Sequence, residues 1–198
     1  AIADEPYRSP TDDEPISLFV TGGSQGARVF SDVLPDAFAL MDEAQRARFS
    51  VTQQCRPEDL DEVRAAYGRL GVAATLETFF DDVPQRLASA HLVICRSGAS
   101  TCAEVTVAGR PAIFVPYPHA ADDHQTHNAR ALVEDSAGWL MPQPEFTAEA
   151  LADRLRGILA DPASLTGTAS ASRRAAHPDA AERLADMVED HFKRRAAA

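Results

Sequence analysis

The residues whose types and spacing best suit chemistry lie in CRSGASTCAE, residues 95–104. Ser97, Gly98 and Ala99 are small enough for a tight turn, and Gly98 tolerates a positive φ. A helix is expected from Thr101 to Ala108, stopped by Gly109 and Pro111. It would start at the carboxyl end of a short apolar strand over 91–95. The first amides of such a helix lack intrahelical acceptors and carry partial positive charge, which suits a phosphate. Glu104 stands about one helical turn further in. An anion at the phosphate position would repel it there, whereas sugar hydroxyls would donate to it.

Three further stretches have related chemistry. GGSQGAR, residues 22–28, follows an apolar strand and precedes a helix. Gly22 and Gly23 let the chain turn, Ser24 offers a hydroxyl, and Gly26 allows close approach to a ligand. The spacing is neither GxGxxG nor GxxxxGK[ST], so neither the dinucleotide fingerprint nor the ATPase P-loop is supported, and a tight strand-to-helix turn also accounts for it. FFDDV, residues 79–83, puts Phe79 and Phe80 at a strand end as core or wall. A backbone group there is able to meet a flat base, and an aspartate, Asp81 or Asp82, is expected to cap the next helix. The third stretch, residues 116–132, holds His119, Asp122, Asp123, His124, Gln125 and His127. That density invites a metal, but the spacing is not HExxH and straddles a loop and a helix start. A helix start with polar ligand contacts is the preferred reading, with Asp122 or Asp123 as N-cap and no metal expected.

The elements that must carry these loops follow from periodicity. Strands are expected over 16–21, 49–53, 71–76, 91–95, 112–115 and 138–141. Helices are expected over 29–41, 57–68, 83–90, 101–108, from about 123, and over 147–160, 163–176 and 178–191. In 57–68 the residues Leu60, Val63, Arg64 and Tyr67 are spaced to make one buried face. Strands alternating with helices describe an α/β fold, an open parallel sheet covered on both faces. Ligands of such sheets bind at the carboxyl ends of the strands, where all four stretches fall.

The totals narrow the class. A chain of 198 residues makes one domain of ordinary size with room for a small second one. Its formal net charge of −11 argues against a chain-wide surface for nucleic acid or anionic lipid. Cys55, Cys95 and Cys102 have no CxxC spacing and are expected to be reduced thiols in packing roles. No apolar run is long enough to span a membrane, and no signal peptide is evident. Residues 1–15 are polar, carry three prolines and are expected to be a linker or a truncation remnant.

GGSQGAR, FFDDV, CRSGASTCAE, GRPAIFVPYPH and HQTHNA, in this order and spacing, closely resemble the carboxyl-terminal half of the MurG family, over roughly residues 16–190. These bacterial transferases add N-acetylglucosamine from UDP-GlcNAc to lipid I, giving lipid II for peptidoglycan. The resemblance implies a Rossmann-like parallel sheet with helices on both faces, the C-terminal half of a GT-B glycosyltransferase. Residues 16–177 would bind UDP-GlcNAc, and 178–198 would form a helix crossing to the missing amino-terminal domain. For matched positions it implies that Ser24 contacts the donor diphosphate and that the Phe80 backbone pairs with the uracil edge. Ala99, Ser100 and Thr101 would present amides to the sugar and phosphate, in a stretch continuing through Cys102 and Ala103. Glu104 would accept from both ribose hydroxyls and Gln125 would hold the GlcNAc hydroxyls. His124 stands where many members have glutamine, and no arginine matches the one before the family's first strand, Arg8 having a different context.

The resemblance further implies inversion at the anomeric carbon without metal or cofactor, and no nucleic-acid partner. The catalytic base, the lipid I contacts and the membrane-facing patch would all belong to the amino-terminal domain. The fragment alone is therefore expected to bind donor without transferring it. The whole enzyme would sit on the cytoplasmic face of the bacterial inner membrane. Two other readings stand beside it: the donor subunit of another, split GT-B UDP-GlcNAc transferase, and a non-catalytic nucleotide-sugar-binding module.

Overall fold

A computed structural model describes residues 5–11, 13–23 and 26–196. In chain order these form β1 (Ile16–Thr21), α1 (Arg28–Ala39), α2 (Glu43–Ala47), β2 (Phe49–Gln54), α3 (Leu60–Leu70), β3 (Ala73–Glu77), α4 (Val83–Ser89) and β4 (Leu92–Cys95). There follow α5 (Ala99–Ala108), β5 (Ala112–Phe114), α6 (His124–Glu134), β6 (Gly138–Leu140), α7 (Ala148–Ala160), α8 (Ala163–Arg174) and α9 (Ala180–Ala196).

Among the described residues the strands form one six-stranded sheet in the order β3-β2-β1-β4-β5-β6, parallel throughout. The chain winds one way from β1 to β3 and then returns to lay β4 on the other side of β1. The connections leaving β1 and β4 diverge, which opens a crevice at their carboxyl ends.

Strand periodicity explains why both faces are covered. Ile16, Leu18 and Val20 of β1, with Leu92 and Ile94 of β4, join a core beneath α1, α3 and α7 that includes Phe30, Phe38, Tyr67 and Leu155. The alternate residues Phe19, Val93 and Cys95 point the other way, to a core with Leu87 of α4, Val105 of α5 and Ala129 of α6. With both faces apolar, β4 reads as an unbroken apolar run.

The expected elements are present with shifted ends, and three details differ. Helix α2 was not anticipated. It carries a complete capping box, in which the Asp42 side chain accepts from the Gln45 N–H and the Gln45 side chain accepts from the Asp42 N–H. In α3 Val63 and Tyr67 are buried but Arg64 is exposed, donating to Asp61. The Asp82 and Asp123 side chains occupy cap positions without capping. Asp82 accepts from Arg86 instead, and Asp123 accepts from the Thr126 hydroxyl. Thr147 does cap α7, accepting from the Ala150 N–H.

Candidate functional site

The first wall of the crevice is the turn after β1. A Cβ on Gly22 would lie 2.3 Å from the Ala27 nitrogen and 2.4 Å from the Gly26 carbonyl carbon, so only glycine fits. Gly26 has φ +69°, in the left-handed region. Ser24 lies outside the described residues.

The second wall is the start of α5. Helix α5 begins at Ala99, earlier than expected, with Gly98 as its N-cap. Gly98 is extended (φ −62°, ψ 151°), so its capacity for positive φ is not used. What matters is that it brings no side chain, and no side chain caps the opening amides. The opening amides of α5 and the positive end of its dipole therefore lie at the crevice, which Ser100 and Thr101 line. The Cys102 N–H is committed to the Gly98 carbonyl.

Glu104 follows on the same helix, partly buried. Burial raises its pKa above the ordinary value, and no cation pairs with it among the described residues. A carboxylate in this state lacks donors, and a ligand's hydroxyls would supply them.

Arg96, between β4 and the α5 turn, ties the third wall to the second. Its Nη1 donates to the carbonyls of Val115 (3.0 Å) and Pro116 (2.9 Å), and its Nη2 to Gln143 Oε1 (2.6 Å). The guanidinium lies over the rings of Phe30 and Tyr117, at 5.6 and 5.5 Å. Ser97 is fully buried; its hydroxyl donates to the Gln125 carbonyl and its own carbonyl accepts from Asn128. Gln125 in turn accepts on Oε1 from the Tyr117 N–H at 3.0 Å, leaving its NH₂ end to donate. His124 is exposed with Nδ1 2.7 Å from the Ala121 carbonyl. Among the described residues no three His, Cys, Asp or Glu side chains are grouped to hold a metal ion.

These walls enclose two adjoining cavities. The larger, about 610 Å³, is lined by the glycine turn, Arg96, Tyr117, His119, Gln125 and Gln143. The smaller, about 230 Å³, is lined by Phe79, Phe80, Val83 and Leu87 together with Thr21, Gln54 and Glu104. Gly23, Ser100 and Thr101 border both. The larger offers amides and cation for an anionic, hydroxyl-bearing group. The smaller offers an apolar slot with a carboxylate at its edge, which suits a flat ring carrying a hydroxylated sugar.

Ser100, Thr101, Glu104, Phe80 and Gln125 are thus brought together. Ala99 and Ala103 are exposed beside the cavities without lining them. The Cys102 side chain turns into the core, where burial pushes its thiol up to about 11. Cys55 is likewise held up at about 11, and burial raises Cys95 as well, consistent with packing roles for all three.

Residues 17–184 match the family described as glycosyltransferase family 28 C-terminal domain. The chain belongs to this family. It is 56% identical over 188 residues to the UDP-N-acetylglucosamine--N-acetylmuramyl-(pentapeptide) pyrophosphoryl-undecaprenol N-acetylglucosamine transferase of Rhodospirillum rubrum, covering 95% of this chain and 49% of that protein. The protein of the same name from Rhodospirillum centenum is 55% identical, with 95% of this chain and 50% of the relative covered. Among solved structures, MurG of Acinetobacter baumannii superposes with a TM-score of 0.80 at 31% identity, over 91% of this chain and 51% of that one. WaaG, a glycosyltransferase of lipopolysaccharide biosynthesis, shares the fold at a TM-score of 0.66 and 21% identity, over 89% of this chain and 47% of that one. The chain spans about half the length of the curated relatives it matches.

For this family 28 domain, sequence reading placed Arg96 and Tyr117 in loops around the crevice without giving either a role, and missed Gln54 and Gln143. Arg96 stands inside the motif that was singled out. Its partners at 115, 116 and 143 are remote in sequence, and no local pattern marks them.

Proposed function

We propose that this domain holds the donor of a MurG-type transferase, with UDP-GlcNAc in the two adjoining cavities. The observation that carries the reading is Glu104, a carboxylate without a cation partner, one turn into a helix whose uncapped amides open on the same crevice. The amides of Ala99, Ser100 and Thr101 serve the diphosphate and sugar, and the family pattern GGSQGA assigns Ser24, outside the described residues, to the diphosphate. The Phe80 backbone reads the uracil edge, Glu104 accepts from the ribose hydroxyls, and the NH₂ of Gln125 donates to the GlcNAc hydroxyls. Cys102 and Ala103 continue the stretch that carries these contacts. No metal or cofactor takes part.

In the whole protein the acceptor hydroxyl of lipid I forms a new bond to the anomeric carbon as the bond to UDP breaks, with inversion. The leaving diphosphate's charge is stabilised at the α5 N-terminus, and the hydroxyl proton passes to a base outside this chain. Transfer needs both substrates held together, so this chain alone binds donor without turning it over. Residues 16–177 form the donor domain, and α9 crosses to the other half. In support, Leu184, Met187, Val188 and Phe192 expose an apolar stripe along α9, with Phe192 65% exposed. Membrane contact at the cytoplasmic face belongs to that other half; among the described residues no helix is long and apolar enough to cross a membrane.

Calorimetric titration of this chain with UDP-GlcNAc, UDP-glucose and GDP-mannose tests the proposal. UDP-GlcNAc should bind tightest and GDP-mannose not measurably. Equal binding of all three, or of none, would overturn it.

A further inference from the structure

At the end of β2 the side chain of Gln54 is only 4% exposed and sits where three loops meet. Its Oε1 accepts from the Thr21 hydroxyl at 3.0 Å and from the Gly22 N–H at 3.3 Å. Thr21 Oγ1 in turn accepts from the Gly23 N–H at 3.2 Å. The Nε2 of Gln54 donates to the Thr78 carbonyl at 3.4 Å. An N–H on one side and a carbonyl on the other leave one orientation for the amide. One planar group therefore fastens both the glycine turn and the segment leading into Phe79 and Phe80.

That segment is held at its other end by the Phe80 ring, which packs edge-on against Phe19 at 5.7 Å beneath the Arg86 guanidinium. Between these anchors the Phe80 N–H and C=O enter no backbone–backbone hydrogen bond among the described residues. Phe80 borders the smaller cavity, which Gln54 also lines.

We infer that Gln54 is the positioning residue that sets nucleobase choice in this crevice, an inference that rests on the donor reading above. Uracil presents an N–H donor beside a carbonyl acceptor, and cytosine presents the reverse pair. A backbone N–H and C=O held in one place accept the first and reject the second, because the wrong base leaves both groups unpaired. Hold on that backbone passes through the Nε2 of Gln54, whereas hold on the glycine turn passes through its Oε1. The two ends of the amide therefore govern different parts of the ligand.

The test is titration of this chain with UDP and with CDP, alongside thermal melting. Gln54→Glu keeps an acceptor for Thr21 and Gly22 but sets a carboxylate oxygen against the Thr78 carbonyl. It should lower the ratio of UDP to CDP affinity about tenfold. Thr21→Val removes only the hydroxyl on the glycine-turn side. It should weaken UDP and CDP in proportion, leaving the ratio unchanged. If Gln54→Glu leaves the ratio at its wild-type value, or if Thr21→Val shifts it as far, the assignment fails while the donor reading stands. If Gln54→Glu does not fold, Gln54→Met, of similar volume and without either hydrogen bond, is read against the same ratio. A wild-type chain that binds neither nucleotide overturns the donor reading and this assignment with it.

Discussion

The two edges of the sheet carry similar residues in opposite states. At the amino-terminal edge His91 Nδ1 accepts from the Ser17 N–H at 2.9 Å, and the His91 carbonyl accepts from the Tyr7 hydroxyl at 3.2 Å. Arg110 donates to the Glu5 carbonyl at 3.0 Å and lies over the Tyr7 ring. His91 and Tyr7 are answered by the chain itself, as is one end of Arg110, whose buried Nε has no hydrogen-bond partner among the described residues; together they fasten residues 5–7 to the domain. At the carboxyl-terminal edge Arg96 and the Oε1 of Gln125 are also answered, but the α5 amides and Glu104 are not. A tyrosine, a histidine and an arginine together therefore say little about binding. Binding shows in the groups that the fold leaves without partners at a strand-end opening.

The largest expected effect comes from the unanswered edge. Glu104→Ala should weaken UDP-GlcNAc by about 1–3 kcal/mol, the usual cost of losing charge-assisted hydrogen bonds, with little change in unfolding midpoint. Unchanged affinity in the titration would remove Glu104 from the site and erase the contrast between the edges. Arg96→Lys comes next. Lysine lacks the planar fork that reaches Val115, Pro116 and Gln143 together. Unfolding free energy should drop by about 1–2 kcal/mol and donor affinity about tenfold, since loops 96–98 and 116–125 lose their common tie. A stability loss with intact affinity would make the arginine purely structural, like its counterpart at the other edge.

The smallest effects belong to the amino-terminal edge, where pH separates the two sides by sign. Burial lowers the pKa of His91 from 6.5, with Arg110 and Arg8 adding to the shift and Glu14 opposing it. The unfolded chain thus takes up the proton first, and stability declines as pH falls below 6.5 through the folded value. Burial of Glu104 acts oppositely. Its raised pKa makes the folded, unliganded domain bind a proton more readily, so its contribution to stability grows as pH falls from the raised value to 4.5. With Glu104 accepting from the ribose as proposed, donor binding uses the charged form and should weaken over that same range. Urea unfolding of His91→Asn, whose Oδ1 can replace Nδ1 as acceptor from Ser17, should show a flatter acid limb with unaltered donor affinity. Tyr7→Phe should cost about 0.5–1.5 kcal/mol, again with no change in titration. A donor-affinity loss in either variant would mean that the edges are coupled and not independent.

Much of this molecule was legible in the sequence because local rules govern it. Alternating and unbroken apolar runs located every strand, Thr147 marked the start of α7, and Gly109 ended α5 in the left-handed conformation. The glycine turn and the small residues before Glu104 marked the open strand ends, since tight turns and close approach restrict residue type within a few positions. The caps at Asp82 and Asp123 were misjudged because each carboxylate had a competing side-chain partner, Arg86 or Thr126, within one turn. Tertiary structure alone decided the rest. It set β1 beside β4, turned Cys102 inward while Glu104 faced the cavity, and closed Arg96 and Gln54 onto carbonyls of distant loops. Those outcomes depend on contacts between segments far apart in the chain, whose energies leave no periodic trace in the residues that make them.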